Sequence, residues 1–207
     1  MNSMNNIHEL EVVIPFLESA SGSQLIYASE NQRIPFTIKN KKYIYFLSEG
    51  KVDIHRATDD ILLFSLRAPA LLGVIALNGE NIYHYLKTAT DSKLVAIEKN
   101  SFIELISAQS LWREIYITST EMANFFFKRD EKFNSKNVYN IIKNNLEVLW
   151  ELPQNEREKI SVFKFIMSRS NISRSSLNNI LRELSDGQYI KINRGRLLDM
   201  KNLPERY

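Results

Sequence analysis

The feature that most narrows what this chain can fold into is the segment SRSSLNNILRELSD, residues 173–186. Leu177, Ile180, Leu181 and Leu184 fall at i, i+3, i+4 and i+7, a single apolar stripe along a helix. Ser175, Asn179 and Arg182 lie on the opposite side, flanked by Arg174 and Asn178. Such a helix buries its leucines in a small core and holds a polar face away from it. Its flanks agree with that reading. SVFKFIMS (161–168) is a short helix with Ser161 as N-cap, Arg169 to Ile172 make a tight turn, and Ser173 caps the second helix. That helix ends at Ser185-Asp186-Gly187, where Gly187 suits the left-handed position after a C-terminus. YIKI, then Asn193-Arg194-Gly195-Arg196, then LLDM read as a hairpin, Gly195 supplying the positive φ of its turn.

Helix, turn, helix and basic-tipped hairpin is the order of a winged helix-turn-helix. The partner it implies is double-stranded DNA, with the polar helix face laid in a major groove. Asn178 or Asn179 matches adenine N6 and N7, and Arg174 or Arg182 matches guanine O6 and N7 or a phosphate. Ser173, Ser175, Ser176, Lys191, Arg194 and Arg196 suit phosphate oxygens and would position the duplex rather than read it. Charge points the same way. The whole chain carries a formal net charge of only +3, yet residues 159–196 hold eight Lys or Arg against Glu183 and Asp186.

The preceding sequence has a different texture. QLIYAS, YIYFLSEGKVDIHRA, ILLFSLRA and KLVAIE are β-branched and aromatic runs separated by turn signals such as Ser48-Glu49-Gly50 and Thr58-Asp59-Asp60. YIYFL and KVDIH read as the two arms of a hairpin, and the set as a small antiparallel barrel or roll. Before it, LEVVIPFL fits either a short helix or a packing strand. After Asn100 the period lengthens: SFIELI opens a short helix. Leu111, Ile115, Thr118, Met122 and Phe125 then follow alternating steps of four and three, a coiled-coil type of seam. With Phe126 beside it, that seam is expected to join two copies into a homodimer. KRDEKFNSKN (128–137) is a plausible hinge, and VYNIIKNNLEVLWEL runs as a helix towards Pro153. The expected fold class is therefore α+β, in three parts: a sensor-like β-roll (1–108), a dimerisation helix with hinge (109–134) and the winged module (135–207).

Composition excludes much else. The 44% apolar content supports packed cores, while no run approaches the roughly 18 apolar residues of a membrane span. The N-terminus lacks the pattern of a secretory signal, so a cytoplasmic protein with no membrane partner is expected. With no cysteine there is no disulfide, thiolate metal site or cysteine-ligated iron–sulfur cluster. His8, His55 and His84 are isolated in sequence, which argues against haem or a metal site. Nucleophile elbows, phosphate-cradling glycine loops and H-E-x-x-H are missing, so neither enzyme activity nor a cofactor is expected.

On these residues the chain resembles the Crp/Fnr superfamily of bacterial transcription regulators over nearly its whole length. ISRSSLNNILRELSDGQYIKINRGRLLDM is similar to that family's recognition helix and wing, and YIYFLSEGKVDIHRATDDILLFSLRAPALLGVIAL to its cyclic-nucleotide-binding roll. LWRE and INRGRLLDMKNLPERY resemble an enterobacterial branch of inhibitors of hydrogen peroxide resistance, which implies a role in oxidative-stress or virulence gene control. The resemblance breaks at the ligand site. Family members that bind cyclic nucleotides carry Gly-Glu-Leu and, after a short helix, Arg-Ser; here Gly73-Val74-Ile75 and Ile82-Tyr83 stand in those places. A buried phosphate needs a cation and paired donors, which these side chains lack. Cyclic AMP is thus not the expected ligand, and apolar side chains are expected to fill a vestigial pocket. The rival is an interaction module that regulates by pairing with another regulator or with RNA polymerase instead of reading DNA.

Overall fold

The computed structural model describes residues 7–76, 83–133 and 137–205. The chain forms two compact units, one within Met4–Phe125 and one within Phe126–Tyr207.

The first unit opens with α1 (Ile7–Ser19), so LEVVIPFL is helical: Leu10, Val13 and Leu17 repeat at helical spacing and are all buried. Nine strands follow among the described residues: β1 (Gln24–Ala28), β2 (Arg33–Ile34), β3 (Thr37–Ile38), β4 (Lys41–Glu49), β5 (Lys51–Arg56), β6 (Leu62–Arg67), β7 (Ala70–Leu72), β8 (His84–Thr88) and β9 (Ser92–Glu98). They form two antiparallel sheets, one ordered β1-β9-β4-β3 with β7 also on β4, the other β2-β8-β5-β6. A core of Leu10, Leu17, Ile44, Phe46, Val95, Ile97 and Phe102 joins α1, the first sheet and α2 (Lys99–Ala108).

The expected hairpin of YIYFL with KVDIH does not form. β4 pairs with β9, β7 and β3, whereas β5 pairs with β6 and β8. Gly50 between them is a corner at which the chain leaves one sheet for the other. Its φ is +93, and a Cβ there would stand 2.5 Å from the Asp91 carbonyl oxygen, so only glycine fits. A hairpin turn and a sheet-to-sheet corner ask for the same local residues; the distant partners decide between them.

The dimer seam also needs correction. Helix α3 (Trp112–Phe133) exists, but Leu111, Ile115, Thr118 and Met122 are already buried within the single chain. Leu111 and Ile115 belong to the core shared with α1 and the first sheet. Phe125 meets Phe64 of β6 edge-on, ring centroids 5.3 Å apart, and Phe126 is half-buried. The stripe is the helix's intramolecular face. Outside it, Tyr116 is 69% and Phe127 73% exposed, and with Thr120 and Ala123 they form a second row at steps of four, three and four.

The second unit is built on α4 (Val138–Trp150), α5 (Gln154–Arg157), α6 (Val162–Met167), α7 (Arg174–Asp186) and the hairpin β10 (Ile190–Asn193) with β11 (Arg196–Met200). Its core gathers Ile142, Leu146 and Leu149 of α4, Phe165 and Ile166 of α6, Leu177 and Leu184 of α7, and Ile190 and Leu197 of the hairpin. The last residues are strapped to α4: the Tyr139 hydroxyl donates to the Pro204 carbonyl at 2.6 Å, and the Lys143 ammonium donates to Leu203 and Pro204.

Candidate nucleic-acid interface

The caps and the leucine stripe of the module take physical form. The Ser161 side chain accepts from the Lys164 N–H at 3.4 Å, and that of Ser173 from the Ser176 N–H at 3.0 Å, so both helices start where a side-chain acceptor satisfies a first-turn donor. Two of the four α7 stripe residues, Leu177 and Leu184, are fully buried, while Ile180 and Leu181 are half-buried around them. Arg174, Ser175, Asn178, Asn179 and Arg182 are all exposed. The face that the spacing left unpartnered is thus open, a row of amides and guanidinium groups about two helical turns long.

Beyond α7 the turn differs from expectation. Gly187 has φ −72, an ordinary helical value, and Gln188 takes the left-handed place at φ 59. Glycine is needed at 187 for space: a Cβ would stand 2.9 Å from the Tyr189 ring. That ring's position could not be read from a local pattern. The wing turn follows the expectation more closely. Asn193 pairs with Arg196, leaving a two-residue loop in which Arg194 (φ 48) and Gly195 (φ 77) are both left-handed, the twist that suits a tight hairpin. Lys191 and Arg194 are exposed and Arg196 half-buried.

Further contacts were not legible in the sequence. The Val162 N–H donates to the Gly195 carbonyl at 2.9 Å, tying the wing tip to the start of α6. Ser173 is also a hub: its hydroxyl lies 2.9 Å from that of Ser175 and 2.8 Å from that of Ser176, so the three serines form one network at the helix N-terminus. Arg169 is held in the turn between α6 and α7, its guanidinium 3.6 Å over the Phe165 ring. The first of these links ties the wing to α6 and the last ties the turn to α6.

The expected ligand pocket is brought together only in part. Gly73 (φ +95) is where a Cβ would press on the Phe36 ring and the Tyr43 carbonyl, each at 3.0 Å. Val74 packs on the roll core, but Ile75 is 57% and Tyr83 59% exposed, so neither fills a pocket; Ile82 lies outside the described residues. The chain's own aromatics crowd this region instead. Phe36 leans on buried Tyr45 with centroids 5.8 Å apart, the Tyr45 hydroxyl donates to Pro35, and burial pushes the pKa of that hydroxyl up to about 12. The histidines have ordinary surroundings: His55 Nδ1 lies 2.9 Å from the Asp60 carbonyl, and exposed His8 lies near Glu11. Among the described residues no three His, Asp or Glu side chains converge as a metal site, and no helix is long and apolar enough to cross a membrane.

Comparison with known proteins agrees with this geometry. Residues 138–205 match the family described as winged helix-turn-helix DNA binding. Two curated relatives are each an inhibitor of hydrogen peroxide resistance. That of Salmonella typhimurium is 24% identical over 191 residues, and that of Escherichia coli K12 is 25% identical over 190; each alignment covers 91% of both chains. Among solved structures, the c-di-GMP-responsive global regulator of Xanthomonas campestris superposes over 93% of this chain and 100% of its own, at 15% identity and a TM-score of 0.73. A transcriptional regulator of the CRP/FNR family from Thermus thermophilus covers 85% of this chain and 94% of its own, at 22% identity and a TM-score of 0.60. The fold is that of the Crp/Fnr regulators: an antiparallel roll like a cyclic-nucleotide-binding domain, a long helix and a winged helix-turn-helix.

Proposed function

We propose that this chain is a sequence-specific DNA-binding transcription regulator of Crp/Fnr type that works as a homodimer. The observation that carries the reading is the exposed polar side of α7, with Arg174, Asn178, Asn179 and Arg182 open while Leu177 and Leu184 anchor the opposite side in the core. Asparagine amides and arginine forks on such a face complement adenine and guanine edges, each bidentate pair discriminating by about 1–3 kcal/mol. Ser173, Ser175, Ser176, Lys191, Arg194 and Arg196 then hold phosphates and set register. Dimerisation is assigned to the outer row of α3, Tyr116, Thr120, Ala123 and Phe127. A solvated pair of large aromatics on a long helix is supported best by a second copy of that helix.

Control without a cyclic nucleotide is part of the proposal. Gly73-Val74-Ile75 offers neither carboxylate nor cation, and the aromatics beside Gly73 occupy the neighbouring space. A role in oxidative-stress or virulence gene control rests on the names of the relatives. RNA polymerase is the further partner that such a regulator would engage.

Charge reversal at Arg174 and Arg182 tests the reading. Operator binding should be abolished while the dimer stays intact by light scattering. Unaltered gene control by a protein with no measurable DNA affinity would instead favour an interaction module. Affinity should fall steeply with salt as counterions leave the phosphates, and the operator should be near-palindromic with half-sites roughly 34 Å apart. Saturable calorimetric binding of a cyclic nucleotide at micromolar concentration would end the claim of ligand-free control.

A further inference from the structure

One exposed cation of the winged unit has no role in the surface made by α7 and the hairpin: Lys164 of α6. Val162, Phe165 and Ile166 hold the other side of that short helix in the core, so Lys164 is turned away from it. Its direction along the helix is set by backbone geometry. Cα–Cβ bonds lean towards a helix N-terminus, and Lys164 therefore leans back over the first turn of α6.

That turn abuts the wing tip. The Val162 N–H donates to the Gly195 carbonyl at 2.9 Å, and a Cβ on Gly195 would stand 3.9 Å from the Ser161 hydroxyl oxygen. Arg194 and Arg196 flank Gly195 in the chain, so Lys164 and both arginines are gathered around one backbone hydrogen bond. Among the described residues none of the three is paired with a carboxylate. Glu158, shortly before α6, is instead engaged by the Gln154 amide at 2.6 Å. The Ser161 hydroxyl oxygen accepts the Lys164 N–H at 3.4 Å, which leaves the hydroxyl proton to donate elsewhere.

We infer that Lys164 and Ser161 of the α6 start and Arg194 of the wing grip a single phosphate of the operator backbone from two sides. This rests on the reading of α7 as the operator-reading helix. A phosphodiester carries two unesterified oxygens and can accept from both elements at once, and such a contact fixes register without reading sequence. The site and the α7 face belong to one compact unit with one core, so their separation is fixed. It is also short: α6 spans six residues, about 9 Å, and delivers the chain to the turn before Ser173.

The test follows operator affinity against salt for the full chain and its variants. Lys164→Gln should weaken binding roughly threefold at physiological salt, and Lys164→Arg should restore it. Discrimination between the operator and a single-mismatch duplex should stay the same in both. Lys164→Gln/Arg194→Gln should lower the salt slope by about 0.9, the loss of one phosphate contact. Lys39→Gln, the same charge change at an exposed position on the roll, should alter neither affinity nor slope. A fall of about 1.8 in the double variant would mean two separate phosphates and overturn the shared site. So would an equal loss in Lys39→Gln, which would reduce the effect to net charge, or weaker discrimination in Lys164→Gln, which would make that side chain a base reader. Unchanged binding by Lys164→Gln would overturn the inference while leaving α7 as the reader. Absence of sequence-specific binding by the unaltered chain would instead remove the reading of α7 itself.

Discussion

Helices α3 and α7 carry the same kind of apolar stripe, steps of three and four along one side, yet sequence spacing assigns the two stripes opposite uses. On α7 the expected use is internal, and Leu177 and Leu184 are indeed fully buried. On α3 the expected use is a seam between copies, but Ile115 and Thr118, the latter 4% exposed, face the chain's own interior. In both helices the stripe reports intramolecular burial, and whatever a partner meets is the row beside it. The two outer rows differ in chemistry: amides and guanidiniums on α7, Tyr116 and Phe127 on α3. One suits a hydrogen-bonding polyanion and the other an apolar surface.

The contrast breaks most visibly if inner and outer residues are exchanged as targets. Ile115→Ala and Leu184→Ala should each cost about 2–5 kcal/mol in denaturant unfolding. Tyr116→Ala and Asn179→Ala should stay within about 0.5 kcal/mol of the unaltered subunit. A large loss at Tyr116 in a monomeric state would mean that the outer row is part of the core. Next in size, Arg174→Glu with Arg182→Glu should weaken operator binding by at least about a hundredfold, and Asn179→Ala should cost about 1–3 kcal/mol of discrimination at one base pair in a binding titration. Replacing Tyr116 and Phe127 by glutamate should raise the dimer dissociation constant by about tenfold or more in sedimentation, with far-UV dichroism unchanged.

Smaller effects sharpen the picture of α7 itself. Ser173→Ala removes the cap and the centre of the serine network and should cost about 1 kcal/mol. Gly187→Ala should destabilise by a similar order because its methyl meets the Tyr189 ring. Since φ at 187 is ordinary, the same change in a Tyr189→Ala background should cost much less, the remaining close contact being the Glu183 carbonyl oxygen at 3.3 Å. If glycine were needed there for a left-handed backbone, removing the ring would bring no rescue.

Much of the winged module was legible because its determinants are local. Caps at Ser161 and Ser173, the leucine stripe and the Arg194-Gly195 turn each act within a few residues, and each appears where expected. The roll was legible only as a collection of strands. Local pattern shows β1, β4, β5, β6 and β9, misses the short β2, β3 and β7 and the strand β8, and assigns KVDIH to the wrong neighbour. Gly187 shows the same limit on a smaller scale: the need for glycine is real, and the reason lies in a ring folded back from Tyr189.

By itself the sequence determined most of the helices, the longer strands and the apolar side of each, because hydrophobic spacing, capping and turn chemistry act over the length of a helix turn or a hairpin. Tertiary structure alone decided which strands pair across Gly50 and that the α3 stripe is spent on the chain's own core. Those outcomes depend on residues tens of positions apart competing for the same buried area. No local pattern encodes which competitor wins.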